Sequence, residues 1–302
     1  MNQSYYVFGL KILSELPLPA PMISDPAEAA NPDIVIAYGP TPEKLDHPQT
    51  TGVRYQASPD ELLLCVDGVA RYWIRQGRRI LVTAHPQSCL ERILIFLMGS
   101  AMGALLHQRG ILVLHAGAVS VDKGAIALAG PSGIGKSTLS AALHDRGYPF
   151  VADDVCAIDP AGKKPSLIPG FSRLKLWADS LDKLGKSKND LQSVRWIKNL
   201  EKYFIPMQEN AASPVALLAL FVLDAANTDR IEMNELTGAD KINQLISNTY
   251  RMGFIKGLGK IEIHFRQCAA LAEKIPVFRV TRPTGGFHLE ELADKILARV
   301  NP

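Results

Sequence analysis

Cysteine is scarce and scattered. The four cysteines, Cys65, Cys89, Cys156 and Cys268, lie far apart with no CxxC spacing, which leaves neither a zinc site nor a disulfide framework legible and makes each a candidate for a small buried hydrophobe. Charge of one sign is lacking too. A formal net charge of +3 spread over 302 residues gives no electrostatic footprint of the kind that marks nucleic-acid or polybasic membrane binding. The start, MNQSYYVFGLKILSELPLP, has no basic region followed by an apolar stretch and a small-residue cleavage site, so no secretory signal is read and a cytoplasmic protein is expected. There is no long hydrophobic run either. The most apolar segment, residues 93–106, has fourteen residues, short of the roughly 20 that cross about 30 Å of hydrocarbon, and it is expected to be a buried core helix. No internal repeat or low-complexity tract stands out.

What is present is an ordinary globular composition, 47% hydrophobic and 21% charged, enough for one large core or two modest ones. Up to about residue 84 the chain is rich in short β-branched or aromatic runs (YYVFGLKIL, DIVIAYG, ELLLCVD, ARYWIRQ, RILVTA) broken by Pro and Gly, the pattern of a small β-rich N-terminal domain over residues 1–88. Residues 89–302 then form a second, larger part. A long buried helix is predicted over 89–108 with Gly110 as its stop. Two strands follow, at 111–121 and 125–130, and then a loop that opens onto a helix ending near Arg146. Residues 216–223 (ALLALFVL) read as a strand covered on both faces, with IEMNEL beside it, helices near 240–251 and 259–274, a strand VFRVT, and a last helix over 289–300. The fold class expected is α/β, a mixed sheet with flanking helices.

The loop itself reads GPSGIGKST, residues 130–138. Gly130, Gly135, Lys136 and Ser137 meet the G-x-x-x-x-G-K-[ST] pattern of a phosphate-binding loop, with Gly133 as a further permissive position. Glycines let the backbone turn its N–H groups around phosphate oxygens, and the helix start presents its positive end to the same anion. Gly130, Ser132, Gly133, Ile134, Gly135, Lys136, Ser137 and Thr138 are therefore the expected cradle of ATP. Lys136 supplies charge to the β- and γ-phosphates and Ser137 a hydroxyl ligand to Mg²⁺.

Asp153 and Asp154 follow at the end of the short strand YPFVA. Two carboxylates at the carboxyl edge of a strand beside a phosphate site can divide the holding of Mg²⁺ from the acceptance of a hydroxyl proton; a turn-forming Asp pair is the plainer alternative. His115, within LHAGAV, reads by itself as a satisfied core histidine. Arg173 and Lys175 in SRLKLW are alternate residues that would share one face of a strand; they could bring charge to a transferring phosphoryl group or, equally, form a solvated basic edge. Arg195, Lys198 and Lys202 read as a solvent-facing helix, with contact to an anionic peptide terminus as the alternative, and Trp177 and Trp196 as packing residues.

Taken together, His115, GPSGIGKST and RGYPFVADD resemble the catalytic domain of HPr kinase/phosphorylase, whose pattern is a His in HG, a GDSGxGKS loop at the same offset, then RGHxLVADD. The resemblance covers roughly residues 105–160. It implies a phosphoenolpyruvate-carboxykinase-like nucleotide fold, ATP and Mg²⁺ as cofactors, Lys136 on the β- and γ-phosphates, Ser137 and Asp154 on the metal, and Asp153 as general base for a serine hydroxyl with His115 supporting it. Arg173 joins the nucleotide-binding set. Because the two aspartates are adjacent, their roles can be exchanged. Pro131 stands where the family has an acidic residue, Thr138 where it has Glu, and the family's downstream ExRGxGxxxV is absent, so neither HPr nor the reverse phosphorolysis follows from the resemblance. The layout LHQRGILVLHAGAV, GPSGIGKST, GYPFVADD, GFSRLKLW is similar to kinases that phosphorylate a C-terminal serine of lasso-peptide precursors. A small-molecule alcohol as acceptor, a nucleotide-gated module without transfer activity, and a homo-oligomeric state stay open. Nucleic acid and membrane are not expected partners.

Overall fold

Alternation of apolar and polar residues builds the first part of the chain into strands, as predicted. In the computed structural model, which describes residues 2–177, 181, 192–197, 200–206, 213–286 and 288–300, these are β1 (Gln3–Val7), β2 (Leu10–Ser14), β3 (Ile34–Tyr38), β4 (Thr50–Thr51), β5 (Tyr55–Ser58), β6 (Glu61–Val66), β7 (Ala70–Arg75) and β8 (Arg79–Ala84). In β7, Ala70, Tyr72 and Ile74 are buried while the residues between them reach the surface, the period of two that a sheet with one covered face requires. The eight strands form one sheet in the order β1-β2-β3-β8-β7-β6-β5-β4. β3 runs parallel to both β2 and β8, and the remaining pairs are antiparallel.

The apolar segment after the sheet is helical over Leu90–Gln108, as α2 (Leu90–Phe96), a π-helical stretch (Leu97–Ala101) and α3 (Met102–Gln108). It is longer than the apolar run from which it is predicted. At 19 residues it is long and apolar enough, by length and composition, to cross a membrane. Its burial tells otherwise: 72% of the most apolar window is covered within the chain, and Tyr72 of β7 donates its hydroxyl to the Ile93 carbonyl at 2.8 Å. Gly110, at φ 74°, takes up the left-handed turn that ends the helix.

The chain divides into two units, Met1–Val113 with Thr249–Gln267, and Leu114–Asn248 with Cys268–Pro302. The boundary expected at residue 88 therefore falls too early, because the helical run stays with the first unit and a later segment returns to it. No local pattern announces that return.

In the second unit, β10 (Ala116–Val121), β11 (Gly124–Ala129), β12 (Phe150–Ala152), β13 (Cys156–Asp159), β14 (Ser166–Ile168) and β18 (Val215–Ala226) lie in the order β12-β10-β11-β18-β14-β13. β20 (Val277–Pro283) also pairs with β18, parallel to it, and β19 (Glu232–Glu235) pairs antiparallel with β20. IEMNEL thus sits beside VFRVT and not beside residues 216–223 as expected; the twelve-residue β18 is buried at every position from Ala219 to Leu223 and lies between two parallel neighbours, β11 and β20. The single strand expected over 111–121 is two, β9 (Leu112–Leu114) and β10, with His115 at the bend between them.

A three-stranded antiparallel sheet, β15 (Arg173–Trp177), β17 (Leu200–Pro206) and β16 (Gln192–Ile197), completes the described strands. Arg195 and Lys202, expected on a helix, lie in β16 and β17; Lys198 and the side chains of Trp177 and Trp196 lie outside the described residues. Of the cysteines, Cys156 and Cys268 are buried, but Cys65 is half-buried and Cys89 exposed.

Candidate active site

Strand β11 delivers the chain to the Gly-rich loop, and α4 (Lys136–Asp145) leaves it, with Gly135 at its N-cap in the left-handed region (φ 111°). Gly130 has to be glycine twice over. Its φ is 130°, and a Cβ there would lie 2.5 Å from the Leu223 carbonyl oxygen within β18. Around Gly133 and Gly135 a Cβ would meet nothing within 4 Å, so this side of the loop is open to a ligand.

The helix is held from both sides. Leu139, Ala142 and Leu143 join Ile126, Leu128, Phe221, Val280 and Ile296 in one core cluster, while Ala141 packs with Phe150, Leu174 and Tyr203 in another. Arg146, just past the end of α4, pairs with Glu290 and Asp294 of the last helix, Leu289–Val300. Gly117 of β10 admits the helix closely: a Cβ on it would come within 2.7 Å of Ser140 Oγ and 3.8 Å of Asp153 Oδ1. Sheet, helix and aspartate meet there with no room for a side chain.

Lys136 is 7% exposed. Its ammonium donates to the carbonyls of Gly130 at 2.7 Å and Pro131 at 3.1 Å. Burial lowers its pKa below the usual lysine range, and the charges of Asp154 and Asp153 oppose that shift.

The two aspartates part company. Ser137 donates its hydroxyl to Asp153 Oδ1 at 2.8 Å, whereas His115 Nδ1 stands 3.0 Å from Asp154 Oδ1 and 3.4 Å from the Asp154 carbonyl oxygen. The pairing crosses the one that the resemblance implies, in which Ser137 and Asp154 share the metal and His115 supports Asp153. Its local cause is the backbone. Asp154 has φ 70°, one of few non-glycine residues in the left-handed region, so the chain turns sharply after β12 and aims consecutive carboxylates in different directions. Both His115 and Asp154 keep about a third of their side-chain surface exposed, 32% and 31%, and remain reachable from solvent.

One residue that the motifs do not contain holds the two halves of the site together. Asn248, 8% exposed, accepts the Gly130 amide on its side-chain oxygen at 2.9 Å and the His115 amide on its backbone oxygen at 2.7 Å, and its own amide donates to Gln244 O at 2.8 Å. Lone asparagines carry no signal in a single sequence. Arg282 is a second addition, its guanidinium 3.4 Å from the Ile134 carbonyl.

Of the expected cradle, Ser132 is exposed, while Ile134 and Thr138 are half-buried. Arg173 opens β15, and its amide donates to Phe171 O at 2.8 Å. Its neighbour Leu174 packs on Ala141, which sets the strand against α4. Among the described residues no cluster of three or more His, Cys, Asp or Glu could hold a metal by protein ligands alone. The donor set fits another mode, a magnesium ion held by one hydroxyl, one carboxylate and the phosphates it accompanies, since Mg²⁺ is bound by few protein groups together with water and substrate oxygens.

No protein-family model matches the chain, and no curated protein matches it. Among solved structures, a similar one is the Hpr(Ser) kinase/phosphatase from Coxiella burnetii, at 16% identity over 62% of this chain and 93% of that chain, with a TM-score of 0.32. So slight a likeness carries nothing about activity, and the geometry of the loop, the paired aspartates and the histidine has to stand by itself.

Proposed function

We propose that this chain is an ATP- and Mg²⁺-dependent kinase, on a phosphoenolpyruvate-carboxykinase-like nucleotide fold, that phosphorylates a serine hydroxyl, with a C-terminal serine of a lasso-type precursor peptide as the leading acceptor. The observation that carries the reading is the split of the adjacent carboxylates, Asp153 to Ser137 and Asp154 to His115.

The amides of Gly133, Ile134, Gly135 and Lys136, together with the Lys136 ammonium, would hold the β- and γ-phosphates. Ser137 and Asp153 would hold the magnesium ion. Bound Mg²⁺-ATP supplies an electrophilic phosphorus and a leaving group whose charge the metal spreads. Asp154 takes the proton of the acceptor hydroxyl as that oxygen forms its bond to the γ-phosphorus and the bond to ADP breaks. His115, 3.0 Å from Asp154 Oδ1, orients the carboxylate and relays the proton to solvent. Arg173 is assigned to the charge on the transferring group. Relative to the roles implied by resemblance, base and metal ligand are exchanged.

The direct test is mass spectrometry of a panel of peptides with internal and C-terminal serines, and of free serine, after incubation with ATP and Mg²⁺. A gain of one phosphoryl mass on a serine peptide is expected. Nucleotide binding without transfer to any hydroxyl in the panel would remove the kinase reading and leave a nucleotide-gated module. Transfer to free serine alone would move the acceptor to a small molecule.

A further inference from the structure

The first unit contains a cavity that the nucleotide site does not use. It has a volume of about 440 Å³, the size of a small-ligand pocket. Its walls are mostly apolar and aromatic. Tyr55 and Phe254 meet edge to face with ring centroids 4.7 Å apart, and Phe96, the residue just before the π-helical stretch, lines it beside them. A π-helical turn is an uncommon, costly interruption that recurs at functional sites. Val53 stands fully exposed at the cavity, at 102% of reference surface.

Against these walls stand two arginines, Arg54 and Arg251, and among the described residues no acidic side chain lines the cavity. Both arginines are exposed, and neither has a carboxylate partner among the described residues. Arg251 stands 5.8 Å from the centroid of the Tyr250 ring. It is also strained, with φ 51° and ψ 54°, a left-handed conformation that asparagine or glycine would hold more easily. Strain of this kind persists where the surroundings over-determine it and clusters at ligand sites. Gly253 belongs to the same design: a Cβ there would fall 2.5 Å from the Tyr55 hydroxyl, so only glycine leaves the tyrosine its place in the wall.

The geometry points to a binding site for a small organic carboxylate with an apolar body. The ring-lined walls take the body and the two guanidinium groups take the carboxylate, for which their planar fork is shaped. A compact inorganic dianion fits worse, since it gains nothing from apolar walls and loses hydration to them. The assignment concerns the first unit alone and stands or falls independently of phosphoryl transfer.

N-dansylglycine, an aromatic carboxylate that brightens in apolar surroundings, is the probe for a fluorescence titration of the full chain. Saturable binding is expected, displaced by N-benzoylglycine and much less by its neutral amide or by inorganic phosphate. Arg54→Ala and Arg251→Gly should each weaken binding about tenfold, as loss of a charged hydrogen bond does. Arg251→Gly also relieves the strained backbone, so its melting temperature should hold or rise while binding falls, a split that a purely structural arginine would not produce. Arg54→Ala, at an exposed side chain, reads the same effect if the glycine variant fails to fold. Absence of probe binding to the intact protein overturns the site; so does binding that neither substitution weakens, or displacement by the amide or phosphate as effective as by the acid.

Discussion

The side-chain oxygen of Asn248 accepts the amide of Gly130 at 2.9 Å, joining residues 118 positions apart at the entrance of the Gly-rich loop. The same asparagine takes the His115 amide on its backbone. Loop and histidine are therefore placed by one residue outside every recognisable motif.

Asn248→Ala should leave the buried Gly130 N–H without its partner, a cost of about 1–3 kcal/mol. A lower melting temperature and weaker nucleotide binding are expected together, measured by thermal melts with and without Mg²⁺-ATP. An unchanged affinity would mean that the loop holds its shape without this contact.

The two aspartates should separate cleanly. Asp154→Asn is expected to cut kcat by about 10²–10⁴ while sparing nucleotide affinity, the signature of a lost proton acceptor. Asp153→Asn should instead raise the Mg²⁺ concentration needed for half-maximal nucleotide binding. Titrations of nucleotide and metal beside steady-state rates distinguish the two, and the opposite assignment would restore the roles that the resemblance implies.

Gly130→Ala and Gly133→Ala make a matched pair. Both force alanine into positive φ, at about 1–2 kcal/mol, but only the first drives a Cβ to 2.5 Å from a backbone oxygen. Thermal melts without nucleotide should therefore show Gly130→Ala as the more destabilised by several degrees. Equal melting temperatures would show that β18 gives way at Leu223.

Acid should weaken the first unit. His107, buried and donating from Nε2 to the Tyr250 carbonyl at 2.8 Å, has its pKa lowered from 6.5 to about 4, chiefly by burial. The unfolded chain takes up this proton as pH falls below about 6.5, and the folded one resists it to about 4, so the contribution is complete at neutral pH and is lost between those values. It amounts to about 3 kcal/mol at most. Denaturant melts of the wild type and of His107→Gln across pH 4–7 should show a shallower slope for the variant. Parallel slopes would mean that other groups set the acid limit.

What the sequence makes legible is what is local. The strand, loop and helix around residues 125–146 are a contiguous pattern, and the fold follows it to within a residue or two. The alternating strands of the first unit are legible for the same reason. Long-range choices are not: β19 and β18 both read as strands, but only tertiary packing puts β20 between them. Likewise His115, at the break between strands, gives its amide to the Asn248 carbonyl, and the direction of Asp154 depends on a φ of 70°; residue types announce neither. Lysines and arginines of 195–202 look amphipathic enough for a helix, yet pairing within the three-stranded sheet makes strands of the described part.

Because Thr249–Gln267 belongs with Met1–Val113, no single truncation point separates the two units. A fragment stopped after residue 113 lacks the helix Met252–Gly257 and with it Arg251, Gly253 and Phe254. A fragment begun at residue 114 carries a stretch whose apolar partners have been cut away. Dissecting this protein calls for excising 249–267 and grafting it, through a designed linker, onto the amino-terminal piece.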